Sequence, residues 1–354
     1  MRGFRRCGAA ALIVSCLATG IASGPVLAAG PGLRQIEVSA KPIERFLPMS
    51  DETRFGALEF RGGLELSAST SDFSGLSGLD FASDGRLYAV TDRGYWVRAR
   101  ALIEEGRLVG VADVFVAPIL NHAGHPVSGK KWSDAEGLRF TERNGQETAL
   151  VVFERSNDVR AFAGPDFPLS RSVDVPLPAG TKKMSGRDGA EAIAIAPPAS
   201  PVAGGMVVIA EVLRDTAGNT QAWIVGGRDP GDVSVARQGG YDVSDAEFLP
   251  DGDLLLLERR LGLPLGLSIR IRRIPAAEIR PGRTIDGAVI FEAALGHQID
   301  NMEGLAVTEG PDGETLLALV SDDNLNPLQR TLLLLFALMD EQEATSLPAG
   351  PAPE

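Results

Sequence analysis

Thiols are almost missing from this chain. Its two cysteines, Cys7 and Cys16, both fall within the first thirty residues. A mature form without that segment therefore has no disulfide, thiolate nucleophile or sulfur-ligated metal. Histidine occurs three times. His122 and His125 share a loop, a spacing that can hold a metal or supply a base but is commoner in plain loops; His297 stands apart. No Ser-His-Asp set, nucleophile elbow or phosphate-binding glycine loop is legible. Aromatic residues make up only 6% of the chain. Basic residues are outnumbered, 34 against 47 acidic, for a net charge of −13. That balance argues against nucleic acid and anionic membrane surfaces as partners and suits cation binding. Past residue 30, no stretch approaches the ~20 consecutive apolar residues of a membrane span.

Glycine (41) and proline (23) are plentiful, as many turns between short strands require. The chain opens with Arg2, Arg5 and Arg6, an apolar run over residues 7–21, and Val26-Leu27-Ala28-Ala29. These are the basic, apolar and small-residue regions of a secretory signal cut near Ala28. Residues 13–16 also read as a lipobox, which would tether the protein by lipid at Cys16, and Arg5-Arg6 as a twin-arginine hint. The expected organisation is a signal peptide over 1–28, a linker over 29–56, one all-β domain over 57–339 and a disordered tail over 340–354.

A repeat defines that domain. Asp134-Ala135-Glu136-Gly137-Leu138, Gly189-Ala190-Glu191-Ala192-Ile193, Asp245-Ala246-Glu247-Phe248-Leu249 and Asn301-Met302-Glu303-Gly304-Leu305 place their glutamates 55 or 56 residues apart. An earlier copy, Leu76-Ser77-Gly78-Leu79, has serine in the glutamate's place. Each copy leads through a turn, often Asp-Gly or Asn-Gly, into an apolar strand ending in an acid: Asp92, Glu154, Glu211, Glu258 or Asp322. Room remains for two more strands per unit, which predicts the four-stranded blade of a β-propeller. Strand count gives five blades, with six as the alternative. The last unit lacks a fourth strand, and the run over 57–67 is available to supply it and close the ring.

In an antiparallel hairpin, the start of one strand and the end of the next share a side. The glutamates and strand-ending acids should therefore ring one mouth of the channel. Strand alternation puts Glu136 on the same side as Leu138 and Phe140, so these carboxylates are expected to be partly buried and to need a partner. Two readings stay open. Each glutamate pairs with an arginine of a neighbouring blade, with Arg93, Arg155 and Arg259 as candidates. Alternatively Glu136, Glu191, Glu247 and Glu303, with the oxygen-rich Asp322-Asp323-Asn324, hold a hard cation, Ca²⁺ foremost. Lys130-Lys131, and Lys182-Lys183 with Arg187, precede two of the glutamates. They are either solvated surface residues or cations for an anionic substrate.

Ser74-Gly75-Leu76-Ser77-Gly78-Leu79 with Val90-Thr91-Asp92-Arg93-Gly94, Asp134-Ala135-Glu136-Gly137-Leu138 with Phe153-Glu154-Arg155-Ser156, and Asn301-Met302-Glu303-Gly304-Leu305 with Ser321-Asp322-Asp323-Asn324 together resemble the phytase-like family. The likeness runs over about residues 70–338, and Ser77 departs from it by leaving the carboxylate ring incomplete. The resemblance implies a propeller and phosphoester or ester hydrolysis. The resulting expectation is a periplasmic or secreted, monomeric, Ca²⁺-dependent hydrolase of a small anionic ester. Glu154 or Asp92 would act as general base, and Lys131, Lys183, Arg93 and Arg155 would hold the anion. Its rivals are a gluconolactonase-type lactonase and a non-catalytic binding or scaffold propeller.

Overall fold

The computed structural model describes residues 32–184, 189–262 and 266–339. The expected signal with Cys7 and Cys16, the tail from residue 340, and Arg187 lie outside the described residues. Short apolar strands separated by glycine turns form five sheets, the blades of a propeller, antiparallel except where Thr284–Ile285 adds in parallel to the rim of blade 3. The inner strands are Leu76–Phe81, Ala135–Arg143, Ala190–Ile195, Asp242–Phe248 and Asn301–Glu309. Each packs on the next, and the last on the first, around a central channel. The second strands are Leu87–Thr91, Gln146–Phe153, Gly205–Arg214, Leu254–Gly262 and Thr315–Asp322.

Closure is by the chain's two ends. Strand Leu58–Ala68 lies antiparallel to Thr331–Leu338, with Leu66 opposite Thr331 and Leu58 opposite Leu338. Blade 5 thereby gains its missing strand and the ring has no open edge. Within the stretch expected as a linker, the described residues 32–56 carry further short strands. Arg34–Gln35 extends the rim of blade 1, Val38–Ile43 extends blade 5, and Arg54–Phe55 pairs with the closing strand. A strand reading Val-Ser-Ala-Lys-Pro-Ile has too little alternation to announce itself, and its Pro42 is tolerated because the strand is at an edge. Apolar side chains fill the spaces between blades, as where Leu64, Leu79, Val97, Ala318 and Leu335 join one cluster.

Each inner strand bulges at its start. Ala135 faces Phe153 and Gly137 faces Val152, leaving Glu136 unpaired between them. Glu191, Ser244 and Glu303 are skipped in the same way, and Ser77-Gly78 faces a single residue. The next residue is small where neighbouring backbones nearly touch. A Cβ on Gly78 would lie 2.4 Å from the Leu138 nitrogen, and one on Gly304 would lie 2.4 Å from the Ser77 oxygen. The repeated acid-Gly-Leu signature thus records a bulge followed by a close blade-to-blade passage. Gly78→Ala should lower unfolding free energy by about 1–3 kcal/mol through overpacking. Gly262→Ala, whose Cβ meets nothing within 4 Å, is the control. Urea denaturation of both variants checks this, and an equal effect in the two would reject the close-passage explanation.

Candidate functional site

The bulges re-aim the skipped side chains toward one mouth of the channel. Ser77, Glu136, Glu191, Ser244 and Glu303 occupy equivalent places in blades 1 to 5. The strand-end residues above them are Asp92, Glu154, Glu211, Arg259 and Asp322. Asp92 donates its backbone N–H to the Gly75 oxygen at 2.9 Å, Glu154 to Asp134 at 3.0 Å and Glu211 to Gly189 at 2.9 Å. Arg259 faces Asp242 and Asp322 faces Asn301. Among the described residues, a cavity of about 580 Å³ at this mouth is lined by eight acids, Asp92, Asp134, Glu136, Glu154, Glu191, Glu211, Glu303 and Asp322, against Lys130, Arg155 and Arg259, while Ser77 and Ser244 do not reach it.

This surplus of buried acid raises the carboxyl pKa values. Burial, the Glu191 charge and the Asp134 charge hold Glu136 well above the ordinary range. Glu191 is raised likewise by burial and by Glu211 and Glu303. Glu154 is pushed up to about 8 by burial, its hydrogen bond with Asp134 and the Glu211 charge. Glu303 reaches about 7, because burial outweighs the opposing pull of Arg259. Asp322 reaches about 6 by burial, moderated by the Asn324 backbone N–H at 2.7 Å. Removing charged carboxyls from water costs more than these few cations return.

The cations divide the cavity. Lys130 pairs with Asp134 and, at 2.6 Å, with Asp92, while Arg155 holds the other Asp134 oxygen at 2.6 Å. Across the mouth Arg259 reaches Glu303 at 2.7 Å and Glu191 at 3.7 Å. The arginine-pairing reading therefore describes Glu303 and Glu191. Near the first group, Asp134, Glu136 and Glu154 each offer an oxygen within 4.8 Å of the other two.

Blade 4 departs from the expected ring. Glu247 does not line this cavity, because the skipped residue in its strand is Ser244, three positions earlier. It lies deeper, 12% exposed, 2.5 Å from Arg139 Nε. Arg139 spans the channel there. It donates to the Leu79, Ala246 and Leu305 carbonyls and pairs with Asp245 at 2.7 Å, joining blades 1, 2, 4 and 5. Glu258, one residue before the strand-end position, instead faces outward within its blade. There it holds Arg270 at 2.6 Å and Arg272 at 2.6 Å. Simple alternation also fails as the reason for burial of Glu136, since the bulge interrupts it.

The other expected residues fall in several places. Asp92, Glu154, Arg155, Glu136, Glu191, Glu303, Asp322 and Asn324 line the cavity. Asp323 is used in structural hydrogen bonds, accepting from Leu325 N–H and Thr331 Oγ1 at 3.1 Å each and from Gly75 N–H of blade 1 at 3.4 Å. Arg93, Lys131 and Lys183 are exposed and outside the lining. His297 packs against Phe46 and Phe55. Glu211, expected among the acids at this mouth, Arg259, expected as a glutamate's partner, and Lys130, expected as a surface residue or an anion-holding cation, also line it, and Asp134 joins them without having been assigned there. The signal for them was the position two before each bulge and the register across it, which the motif alone does not reveal.

Among the described residues no helix is long and apolar enough to cross a membrane. The fold has many distant structural relatives. A thermostable family-43 glycoside hydrolase is 12% identical, with 79% of this chain and 96% of that one covered at a TM-score of 0.49. A putative gluconolactonase is 11% identical, with 88% and 96% covered at 0.41. The Dos1 propeller is 9% identical, with 84% and 83% covered at 0.36. Among curated proteins none matches the sequence. The family described as phytase-like, esterase-like activity of phytase, matches residues 71–325, and this chain belongs to it.

Proposed function

We propose that this protein is a secreted or periplasmic ester hydrolase that works with a hard divalent cation, Ca²⁺ foremost, at the acidic channel mouth. The carrying observation is the convergence of Asp134, Glu136 and Glu154, one oxygen of each within 4.8 Å of the others. The donors fit such an ion, because they are all carboxylate oxygens and acids outnumber cations in the cavity. Asp134, Glu136 and Glu154 would hold it, with Glu191, Glu303, Asp322 and Asn324 around the same cavity. When bound, it would polarise the ester oxygen and lower the pKa of water. Glu154 supplies the exchangeable proton site at the mouth. Lys130, Arg155 and Arg259 orient an anionic group of the substrate. The basic-apolar leader expected over residues 1–28 supports location outside the cytoplasm.

Among the described residues, the three cations that line the cavity are already held by carboxylates, and this favours an uncharged ester or lactone as a second reading. Calorimetry with CaCl₂ and hydrolysis of a phosphate monoester and a lactone, each with and without EDTA, test both. Glu136→Gln, the loss of a direct ligand, should weaken Ca²⁺ binding by more than the roughly 10–100-fold typical of an outer-shell partner, and Glu303→Gln less, since Glu303 is occupied by Arg259. Absence of Ca²⁺ binding, with hydrolysis indifferent to EDTA, would reject the metal and leave the carboxylates as blade clamps.

A further inference from the structure

A second cavity, of about 430 Å³, lies beside blade 2 and is lined by polar groups of both signs around Trp132. Its floor comes from strands Asp158–Ala163 and Val173–Val175. Strand alternation puts Asp158 and Arg160 on one face, and the register sets Asp174 opposite Arg160. Arg160 is fixed in place. Its guanidinium carbon lies 3.9 Å from the Phe153 ring centre, and it bonds Asp158 at 2.9 Å, Ser156 Oγ at 3.2 Å and the Trp132 carbonyl at 3.3 Å. The roof is the loop after blade 1, which brings in Asn121 and His122.

Trp132 is the anomaly. Trp96 and Trp223 are at most 2% exposed, whereas Trp132 is 49% exposed. A large aromatic surface left half in water beside a polar groove is costly unless something covers it. Exposed Lys131 lays its Nζ 4.8 Å from the indole centre, a contact that a stacked ring would replace. The charge balance limits what that ring can be. Asp158 is taken up by Arg160, so a cation would meet the guanidinium and an anion would meet Asp174. Uncharged hydroxyls, each both donor and acceptor, suit such a lining.

We propose that this groove binds a neutral saccharide ring, its C–H face on Trp132 and its edge hydroxyls on Asp174, His122 and Asn121. Trp132 and Lys130 share the single helical turn Lys130–Ser133, and Lys130 lines the acidic cavity. Residues two apart project from opposite sides of a helical turn, so the groove and the acidic cavity flank this turn. A sugar ester held in the groove and cleaved in the acidic cavity would have to reach around the turn, a step that rests on the hydrolase reading above.

Acrylamide quenching of the full chain's tryptophan fluorescence reports on Trp132, because the other two indoles are buried. The probes are methyl pyranosides of glucose, galactose, mannose and xylose. At least one should lower the quenching constant about twofold at saturation. Trp132→Phe should remove the quenchable emission. Asp174→Ala, an exposed position, should abolish protection without changing the melting temperature. If no pyranoside protects, or if Asp174→Ala is protected as well as the parent, the subsite is overturned. Protection without hydrolysis of a sugar acetate or sugar phosphate upholds the subsite and counts against the hydrolase reading. Lactone hydrolysis without protection does the reverse.

Discussion

Arg139→Met should cost about 3–5 kcal/mol of stability near pH 8, the usual penalty for stripping one partner from a buried ion pair. Arg139 is 1% exposed and, among the described residues, is the one cation that pairs with both Asp245 and Glu247 in the channel. Methionine keeps the length but leaves those carboxyls, and the Leu79, Ala246 and Leu305 carbonyls, without their donor. The deficit should depend on pH. Burial raises Asp245 and Asp80 to about 6 and Glu247 to about 8, against the pull of Arg139. Raised above their unfolded values near 4, these groups bind more protons folded than unfolded. Their contribution to stability is complete below about pH 4 and is lost as pH rises through 6 to 8. Without Arg139 they stay protonated to higher pH, so the variant's deficit should be smallest near pH 5 and largest above pH 8. Urea unfolding of both proteins at pH 5 and pH 8 measures it. A deficit below about 1 kcal/mol at both values would mean that Arg139 does not lock the blades.

The same arginine shows where sequence reading stops. A period of 55 or 56 residues with turn dipeptides is enough to indicate blades, and one missing strand is enough to indicate closure through residues 57–67. The first signal is local chemistry repeated along the chain, and the second is the one place where that repeat falls short. The site depends instead on register. Equal spacing carried the glutamate pattern from Glu191 through Glu247 to Glu303. The residues actually skipped in the strands, Glu191, Ser244 and Glu303, are unevenly spaced because loops differ in length. Asp245-Ala246-Glu247 copies the motif three residues late. Glu258 copies the strand-end acid one residue early, leaving Arg259 to enter the cavity. Arg139 follows an ordinary strand position and gives no warning that it crosses the channel. Nothing in a one-dimensional pattern distinguishes an arginine pointing to solvent from one pointing at three other strands.

Glu154→Gln should reduce kcat/KM for ester hydrolysis about 10²–10⁴-fold, the range for loss of a general acid or base. Three features single it out. It is 8% exposed at the cavity wall, it meets Asp134 and Glu136 within 4.8 Å, and its carboxyl is raised to about 8 by burial, Asp134 and Glu211. A base with that pKa is mostly protonated at neutral pH, so the rate without added cation should climb with pH through about 8. Loading with Ca²⁺ favours the ionised carboxylate, which should move that limb to lower pH and release protons into solution. Glutamine preserves the shape and removes both effects, so the variant should lose the limb as well as the rate. Rate–pH profiles for the parent and Glu154→Gln, recorded with Ca²⁺ and with EDTA, separate the possibilities. If the variant keeps the parent's limb, the titrating group lies elsewhere on the ring. Glu303, raised to about 7 but tied to Arg259, would then be the group to replace, and Glu154 would be left with binding alone.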